Sequence, residues 1–419
     1  MDKSTNVLTM AQASKRAASE MAKATTEQKN AVLLDLIENI GKNQEAILEA
    51  NGKDIAIAKE NGLAPSLIER LSLENRLEEI LHDIEQVRLL PDPVGEVLDA
   101  KILPNELHLT KYSTPIGVLG VIYESRPNVT LDISALTIKS GNCALLRGGS
   151  ETMHTNQILI SLIQKSLVSN DLPAEAIQLI VDSYRARIKE MLQLYEYIDL
   201  IIPRGGSALQ SFCREHSKIP VIIGGIGICH LFVDETADLE KALLVVHNAK
   251  VQRPTVCNAL DTVLIHSSIA SSLIPRIIET LASDGVTFRL DERAYEKNID
   301  HFCNLAGPTD WDTEWLSLVL GIKVVETITE AIEHIQKHST GHSDGILTNN
   351  LENADIFIKS VDSGAVYVNA STRFTDGGQF GLGSEVAIST QKLHARGPMG
   401  LKELTTYKWI IRGDYHVRE

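Results

Sequence analysis

Cys257 is the residue whose surroundings most suggest covalent chemistry. It sits in Gln252-Arg-Pro-Thr-Val-Cys-Asn-Ala-Leu260, just ahead of a strand-like run, Asp261–His266. Pro254 and Thr255 predict a helix start or a tight turn at this point. Either would set the thiol beside backbone N–H groups, which lower a thiol pKa from about 8.5 and favour the attacking thiolate. The same N–H groups could then hold the oxyanion that forms on the attacked carbonyl. Judged on type alone, most cysteines are small buried hydrophobes. The other four read that way: Cys143 lies in an apolar strand, Cys229 begins one, Cys213 sits on a helix, and Cys303 lies in a helix-like stretch with His301.

Two turns could bind anions. Arg147-Gly-Gly-Ser-Glu151 ends one strand-like run and opens a helix, and Ile202-Pro-Arg-Gly-Gly-Ser207 does the same further on. A strand, a glycine turn and a helix N-terminus make a phosphate site, because the first helical N–H groups have no partner within the helix. Ser150 and Ser207 could equally be plain N-caps. Neither turn matches the GxGxxG dinucleotide fingerprint. In a third cluster, His334, His338 and His342, the first two have the i, i+4 spacing of a helical metal pair, but a helix ending in histidine before a turn explains it more simply. No metal is expected.

These groups need elements to hold them. Residues 9–90 have the spacing of amphipathic helices, as in Ala31, Leu33, Leu34, Leu36, Ile37 and Ile40. The helical region breaks at Pro91-Asp92-Pro93, and residues 95–125 predict a two-stranded excursion followed by a buried strand. From there to about 250, strands (Asn142–Arg147, Ile177–Val181, Leu200–Pro203, Pro220–Ile223, Cys229–Val233) alternate with helices (Val129–Lys139, Thr152–Ser169, Ser207–His216, Leu239–Lys250). Strands over Asp261–His266, Val319–Val325, Asp344–Thr348 and Ala365–Asn369 form a second series, and Leu404–Ile411 closes the chain. Such alternation predicts an α/β fold with two parallel-sheet lobes and a small β hairpin beside them.

The chain has 419 residues, and its 40 Lys and Arg against 55 Asp and Glu leave a formal charge of −15. That charge argues against a nucleic-acid partner. No apolar run approaches the roughly 18 residues of a membrane span. The first residues lack the apolar block of a secretory signal. Five scattered cysteines suit a reducing compartment, so a cytoplasmic enzyme is expected.

The segments Pro115-Ile-Gly-Val-Leu-Gly-Val-Ile-Tyr-Glu-Ser-Arg-Pro-Asn-Val129 and Lys139-Ser-Gly-Asn-Cys-Ala-Leu-Leu-Arg-Gly-Gly-Ser-Glu151 resemble the γ-glutamyl phosphate reductase (glutamate-5-semialdehyde dehydrogenase) family of the aldehyde dehydrogenase superfamily. Val325, Ala331, His334, Ile335, His338, Ser339, His342, Ser343, Asp344 and Ile346 fall in register with the family's most distinctive segment. The resemblance runs from about residue 9 to the C-terminus. It implies an aldehyde-dehydrogenase-like fold with an NADPH-binding domain (1–94 and 114–250), a catalytic domain (251–403) and an oligomerisation β element (95–113 and 404–419). It implies reduction of L-glutamyl 5-phosphate to L-glutamate 5-semialdehyde, a step of proline biosynthesis, with Cys257 forming a thioester. A homo-oligomer, dimer or tetramer, goes with the fold, and the labile acyl phosphate suggests handover from a glutamate 5-kinase.

The same resemblance places NADPH on Lys139, on Arg147, Gly148, Gly149, Ser150 and Glu151, and on Pro203, Arg204, Gly205, Gly206 and Ser207. Glu314, in Glu314-Trp315, resembles the acid that holds the nicotinamide ribose. The superfamily's oxyanion asparagine falls near Ser125, with Asn128 close by, and the Cys257 N–H is a second donor. Hydrolytic members carry a general-base Glu before a Leu-Gly-Gly segment. Here Ile222-Ile-Gly-Gly-Ile-Gly227 has no acid, which suits a reductase that must not hydrolyse its intermediate. An anionic substrate in an acidic protein calls for a local cationic pocket. Arg126 and Arg373 are the candidates, with Ser371 and Thr372 as hydroxyl donors and Glu385 for the ammonium. The rival readings are an oxidising aldehyde dehydrogenase acting on a small semialdehyde, a cysteine hydrolase using His230, His247 or His266, and a scaffold without catalysis.

Overall fold

The computed structural model describes residues 6–181, 184–296 and 301–418. The chain opens with α1 (Val7–Met21), α2 (Thr26–Lys42), α3 (Gln44–Glu60), α4 (Pro65–Leu71) and α5 (Leu77–Leu89). In α2, Val32, Leu33, Leu36 and Ile40 are buried on one stripe, as a 3.6-residue period requires. Thr25 and Gln28 close a capping box at its start. There follow β1 (Val97–Ile102), β2 (His108–Pro115), β3 (Val118–Tyr123), α6 (Asn128–Lys139), β4 (Cys143–Arg147), α7 (Met153–Ser169), β5 (Ile177–Leu179), α8 (Arg185–Met191), β6 (Leu200–Arg204) and α9 (Ser207–His216). The next stretch comprises β7 (Cys229–Val233), α10 (Leu239–Val251), β8 (Leu260–His266), α11 (Ser267–Ala282), β9 (Thr287–Leu290), α12 (Glu292–Tyr295), β10 (Cys303–Leu305) and β11 (Val319–Val325). After it come α13 (Ile328–His338), β12 (Ser343–Leu347), α14 (Leu351–Ser360), β13 (Ala365–Val368), β14 (Ile388–Ser389), β15 (Gly397–Pro398) and β16 (Thr405–Arg412).

The chain divides into two units. The first is Met1–Ile223 with Gly381–Ala387 and Met399–Glu419, and the second is Gly224–Phe380 with Ile388–Pro398. The first unit holds a parallel sheet in the order β5-β4-β3-β6. Every residue of β3 is buried, so it shows no polar alternation; both of its faces are covered. A second sheet of this unit, β1-β2-β16, is antiparallel. Val97, Leu98, Ile102, Tyr407, Trp409 and Ile411 stay exposed on it.

The second unit holds a parallel sheet in the order β10-β9-β11-β8-β7-β12-β13. Alternate strand residues serve opposite faces. Leu231, Val233, Val263 and Ile265 pack with Leu273 and Ile277 of α11, while Phe232, Leu264 and Val325 pack with Ile335 of α13 and Phe357 of α14.

Three features differ from the sequence reading. The expected boundary at 250/251 lies too late, because β7 pairs with β8 and β12 and so belongs to the second sheet. Cys303 opens an edge strand rather than lying in a helix, and β9 was not anticipated; strands of three and four residues are too short to show a period. Pro220–Ile223 forms only a single bridge, Ile201 to Val221, rather than a strand.

Candidate active site

Cys257 lies in a turn, closed by Ala259 N–H donating to the Val256 carbonyl at 3.1 Å, and not at a helix start. Its side chain is partly exposed, whereas Cys143, Cys213, Cys229 and Cys303 are buried. Burial pushes the Cys143 and Cys213 thiols up to about 12 and about 11, which leaves them inert. Among the five, the exposure needed for a nucleophile belongs to Cys257.

The turn is fastened to the segment that follows β13. Asn258, almost fully buried, donates from Nδ2 to the Thr375 carbonyl at 2.8 Å. Thr372 Oγ1 donates back to the Asn258 carbonyl at 2.7 Å. Asn369, left-handed at φ 54°, turns the chain out of β13 and bonds both backbone groups of Thr348 at 2.8 Å. The segment thereby brings Arg373 toward Cys257. Burial draws its guanidinium below the usual range, Asp376 pulls the other way, and Arg253 adds to the lowering. The Cys257 and Cys229 sulfurs act in the same sense as Asp376, so the cation lies within electrostatic reach of both thiols. Thr372 differs from its expected role, since its buried hydroxyl positions Asn258. The Ser371 Oγ accepts the Arg373 N–H at 3.3 Å and shapes the same turn.

Gly227 meets Cys257 from another direction. A Cβ on Gly227 would stand 1.6 Å from the Cys257 carbonyl oxygen, so only glycine fits. The Gly227 N–H donates to Glu314 Oε1 at 3.0 Å. The next residue, Trp315, donates its N–H to Asp261 at 3.2 Å, and Asp261 faces buried Lys250 at 3.7 Å. Burial drives this acid up and this base down, both toward neutrality.

The histidines have other partners. His230 pairs with buried Asp344 at 3.0 Å, His247 with Asp284 at 2.8 Å, and His266 with Ser268 at 2.8 Å. Burial pushes His334 down to about 2, and His338 pairs with Asp312 at 2.7 Å. No group of three potential metal ligands occurs among the described residues.

Within the first unit, β4 and β6 flank β3, so both glycine turns open at the same carboxyl edge of the sheet. The order reverses between β3 and β6, the position where open α/β sheets bind ligands. Residues Glu124 and Ser125, after β3, join the two turns. Gly206 N–H donates to Glu124 at 3.3 Å, and Ser125 donates both its N–H (2.6 Å) and its hydroxyl (2.7 Å) to Glu151. Ser125 is left-handed at φ 45° and nearly buried. These bonds set its hydroxyl on Glu151 rather than leaving it as an oxyanion donor, and Asn128 Nδ2 is likewise held by Asp132 at 3.0 Å. A Cβ on Gly148 would meet Asn156 Nδ2 at 2.4 Å, and one on Gly149 or Gly205 would displace the Glu151 or Glu124 carboxylate. The helical turns that begin at Ser150 and Ser207 carry no side-chain cap, so Ser150 and Ser207 are not the N-caps they resemble. Arg147 and Arg204 close their strands, with Pro203 buried beside Arg204.

Lys139 is elsewhere. As the last residue of α6, a helix about 18 Å long by its rise per residue, it is carried away from the carboxyl edge where α6 begins. Its buried ammonium donates to Asn30 Oδ1 at 2.6 Å and to the Arg88 carbonyl at 2.8 Å. Arg126 follows Ser125 in this unit, and Glu385 also belongs here rather than with the second unit. The sequence reading missed Glu124, Gly227 and Asn258, whose roles depend on contacts between distant segments.

Asp132 offers a pH test of the first unit. Burial raises its carboxyl to about 7; the Asn128 amide opposes this, Asp83 adds to it, and Arg204 and Arg76 oppose it. A carboxyl raised in the folded state supports stability below its unfolded value, about 3.9, and that support is lost as pH rises toward 7. Asp132→Asn, which can still accept from Asn128, should therefore raise the melting temperature more at pH 8 than at pH 5. An equal change at both values would count against this assignment.

The aldehyde dehydrogenase family model matches residues 2–293 and 311–410. The γ-glutamyl phosphate reductase of Psychromonas ingrahamii is 54% identical over 405 residues, 96% of this chain and 97% of that protein. The γ-glutamyl phosphate reductase of Aeromonas salmonicida is 52% identical over 409 residues, 97% of this chain and 98% of that protein. The crystal structure of γ-glutamyl phosphate reductase from Thermotoga maritima aligns with a TM-score of 0.96 at 47% identity, covering 99% of this chain and all of that one.

Proposed function

From a chain that belongs to the aldehyde dehydrogenase family, and within it to the γ-glutamyl phosphate reductases, we infer the reductive step itself: L-glutamyl 5-phosphate becomes L-glutamate 5-semialdehyde and phosphate. The observation that carries this reading is the partly exposed Cys257, set in a turn fastened to the Arg373 segment.

The Cys257 thiolate attacks the acyl carbon, the C–S bond forms, and the bond to phosphate breaks with its electron pair leaving on phosphate. Arg373, charged at neutral pH, offers paired donors to an anionic group of the substrate. The tie between Asn258 and Thr375 keeps nucleophile and cation in one geometry, which is where positioning contributes to rate. The Ile222–Gly227 loop brings no acidic side chain of its own to Cys257, in keeping with a thioester that must survive until it is reduced. NADPH, when bound, supplies the hydride that reduces the thioester carbonyl. The residues that would hold it are Arg147–Glu151 and Arg204–Ser207: two glycine turns, two arginines and two uncapped helical turns are a fitting donor set for a dinucleotide's phosphates.

The test is the reverse reaction with glutamate semialdehyde, NADP⁺ and phosphate, followed by absorbance of the reduced cofactor. Strict dependence on phosphate is expected. Equal rates without phosphate would identify an oxidising, hydrolytic dehydrogenase instead.

The exposed apolar residues on β1 and β16 are read as a self-association surface, since an antiparallel sheet with open edges recruits another strand. Trp409→Glu should shift sedimentation from an oligomer to the protomer mass, and a wild-type protein that already sediments as a protomer contradicts the reading. Handover of the acyl phosphate from a glutamate 5-kinase is part of the same proposal, and co-sedimentation of the two proteins tests it. No helix of the described residues is long and apolar enough to cross a membrane, and the five thiols, none in a disulfide, suit a cytoplasmic setting.

A further inference from the structure

A second thiol lies under the Cys257 turn, and the chemistry above does not use it. Cys229 opens β7 and is fully buried. Its Sγ stands 3.2 Å from the Cys257 carbonyl oxygen. That oxygen also packs against Gly227, so closely that no side chain fits there. Burial, reinforced by the charges of Asp261, Asp344, Cys257 and Glu314, holds the Cys229 thiol well above its ordinary range. It therefore remains protonated and can serve as a donor.

The surroundings keep this thiol in place. Cys229 Sγ lies 4.0 Å from His342 Nδ1, and His342 Nδ1 lies 2.8 Å from Ser343 Oγ. Burial pushes His342 down to about 4, so its ring is neutral. Ser343 Oγ meets Thr375 Oγ1 at 2.6 Å, and Tyr367 OH meets the same Thr375 oxygen at 2.6 Å. The Thr375 carbonyl takes the Asn258 amide at 2.8 Å. A buried polar chain thus leaves the Cys257–Asn258 peptide through Cys229 and returns to it through the Asn258 side chain.

We propose that Cys229 is a positioning residue for the nucleophile: its S–H donates to the Cys257 carbonyl and fixes the plane of the Cys257–Asn258 peptide. The proposal rests on the reading of Cys257 as the attacking thiol. In a trans peptide the N–H points opposite to the carbonyl. With the carbonyl drawn toward Cys229, the Asn258 N–H is directed away from it. Removing the donor leaves a buried carbonyl without this partner and frees the peptide to rotate. The sulfur of Cys257 then loses its fixed geometry relative to the peptide dipoles around it, and so any support they give to its thiolate.

The experiment compares Cys229→Ser, which keeps a donor, with Cys229→Val and Cys229→Ala, which do not. Two readouts are taken on folded protein: steady-state kinetics, and the rate of Cys257 alkylation by iodoacetamide across pH. Val and Ala should lower kcat about tenfold with KM unchanged, the scale of one buried hydrogen bond left unmade. They should also move the alkylation midpoint to higher pH. Ser should restore both to within about threefold, since a hydroxyl replaces the donor. Wild-type values in Val or Ala overturn the proposal, and so does a loss in Ser as large as in Val. If Val and Ala do not fold, Ser decides alone: both readouts within about threefold of wild type are expected, and a loss of about tenfold overturns the proposal. Alkylation needs no substrate, so it tests Cys229 even if the wild-type protein shows no phosphate-dependent reduction, a result that would instead remove the proposed function.

Discussion

Cys257→Ala should abolish reduction, with a fall in kcat of roughly 10⁴-fold or more, the scale seen when a covalent nucleophile is removed. Its melting temperature should stay near that of the wild type, because the Cys257 side chain is partly exposed and the turn is held by Asn258, Thr372 and Thr375. Those bonds do not use the Cys257 sulfur. Cys257→Ser should behave much like the alanine variant, since a hydroxyl remains protonated where the thiol ionises. Steady-state assays in both directions, with thermal unfolding of the same preparations, check these outcomes. A folded Cys257→Ala enzyme with wild-type turnover would rule out thioester chemistry at this position.

Gly227→Ala should be the second most damaging change. The new methyl would lie 1.6 Å from the Cys257 carbonyl oxygen, about half of an ordinary carbon–oxygen contact of roughly 3.3 Å. One side must move by more than an ångström, and backbone faces backbone, so no flexible side chain can yield. A displacement of that size at a reacting group costs about 10²-fold in rate. The expected result is a kcat lowered about a hundredfold with a smaller change in KM, together with a lower melting temperature, since the Gly227 N–H would also be drawn from Glu314. Kinetics and thermal unfolding of this one variant are enough. Turnover within threefold of wild type would show that the close approach has no catalytic consequence.

The legible parts of this protein were those written in local periods. The alternation of β3, α6, β4, α7, β6 and α9 follows from short apolar runs and amphipathic spacing, and the two glycine turns fall between them as anticipated. Sheet membership was not legible, because β7 has the same composition whichever sheet it joins; its sheet is decided by pairing with β8, as Cys229 with Leu260, and with β12, as His230 with Asp344, segments far along the chain that no local pattern links to it. The same limit applies to side-chain roles. Lys139 lies near the glycine turns in sequence, but a helix carries it to the other edge of its sheet, where it holds Asn30 and Arg88. Thr372 was read as a substrate donor and instead supports Asn258. Ser125 was read as an oxyanion donor and instead holds Glu151. Cys257 was singled out from its neighbours, and the turn around it is the second of the two forms, helix start or tight turn, that Pro254 and Thr255 suggested. What marks it structurally, the approach of Gly227 and the thiol of Cys229 at its carbonyl, comes from a strand and loop some thirty positions earlier.

The central claim is that Cys257 carries the γ-glutamyl group as a thioester. It is tested most directly by incubating the enzyme with glutamate semialdehyde and NADP⁺ in the absence of phosphate, quenching in acid, and mapping the protein by peptide mass spectrometry. A glutamyl adduct on the peptide containing Cys257, discharged when phosphate is added before the quench, is the predicted result. Turnover on addition of phosphate without any such adduct, or an adduct on a different residue, would contradict it.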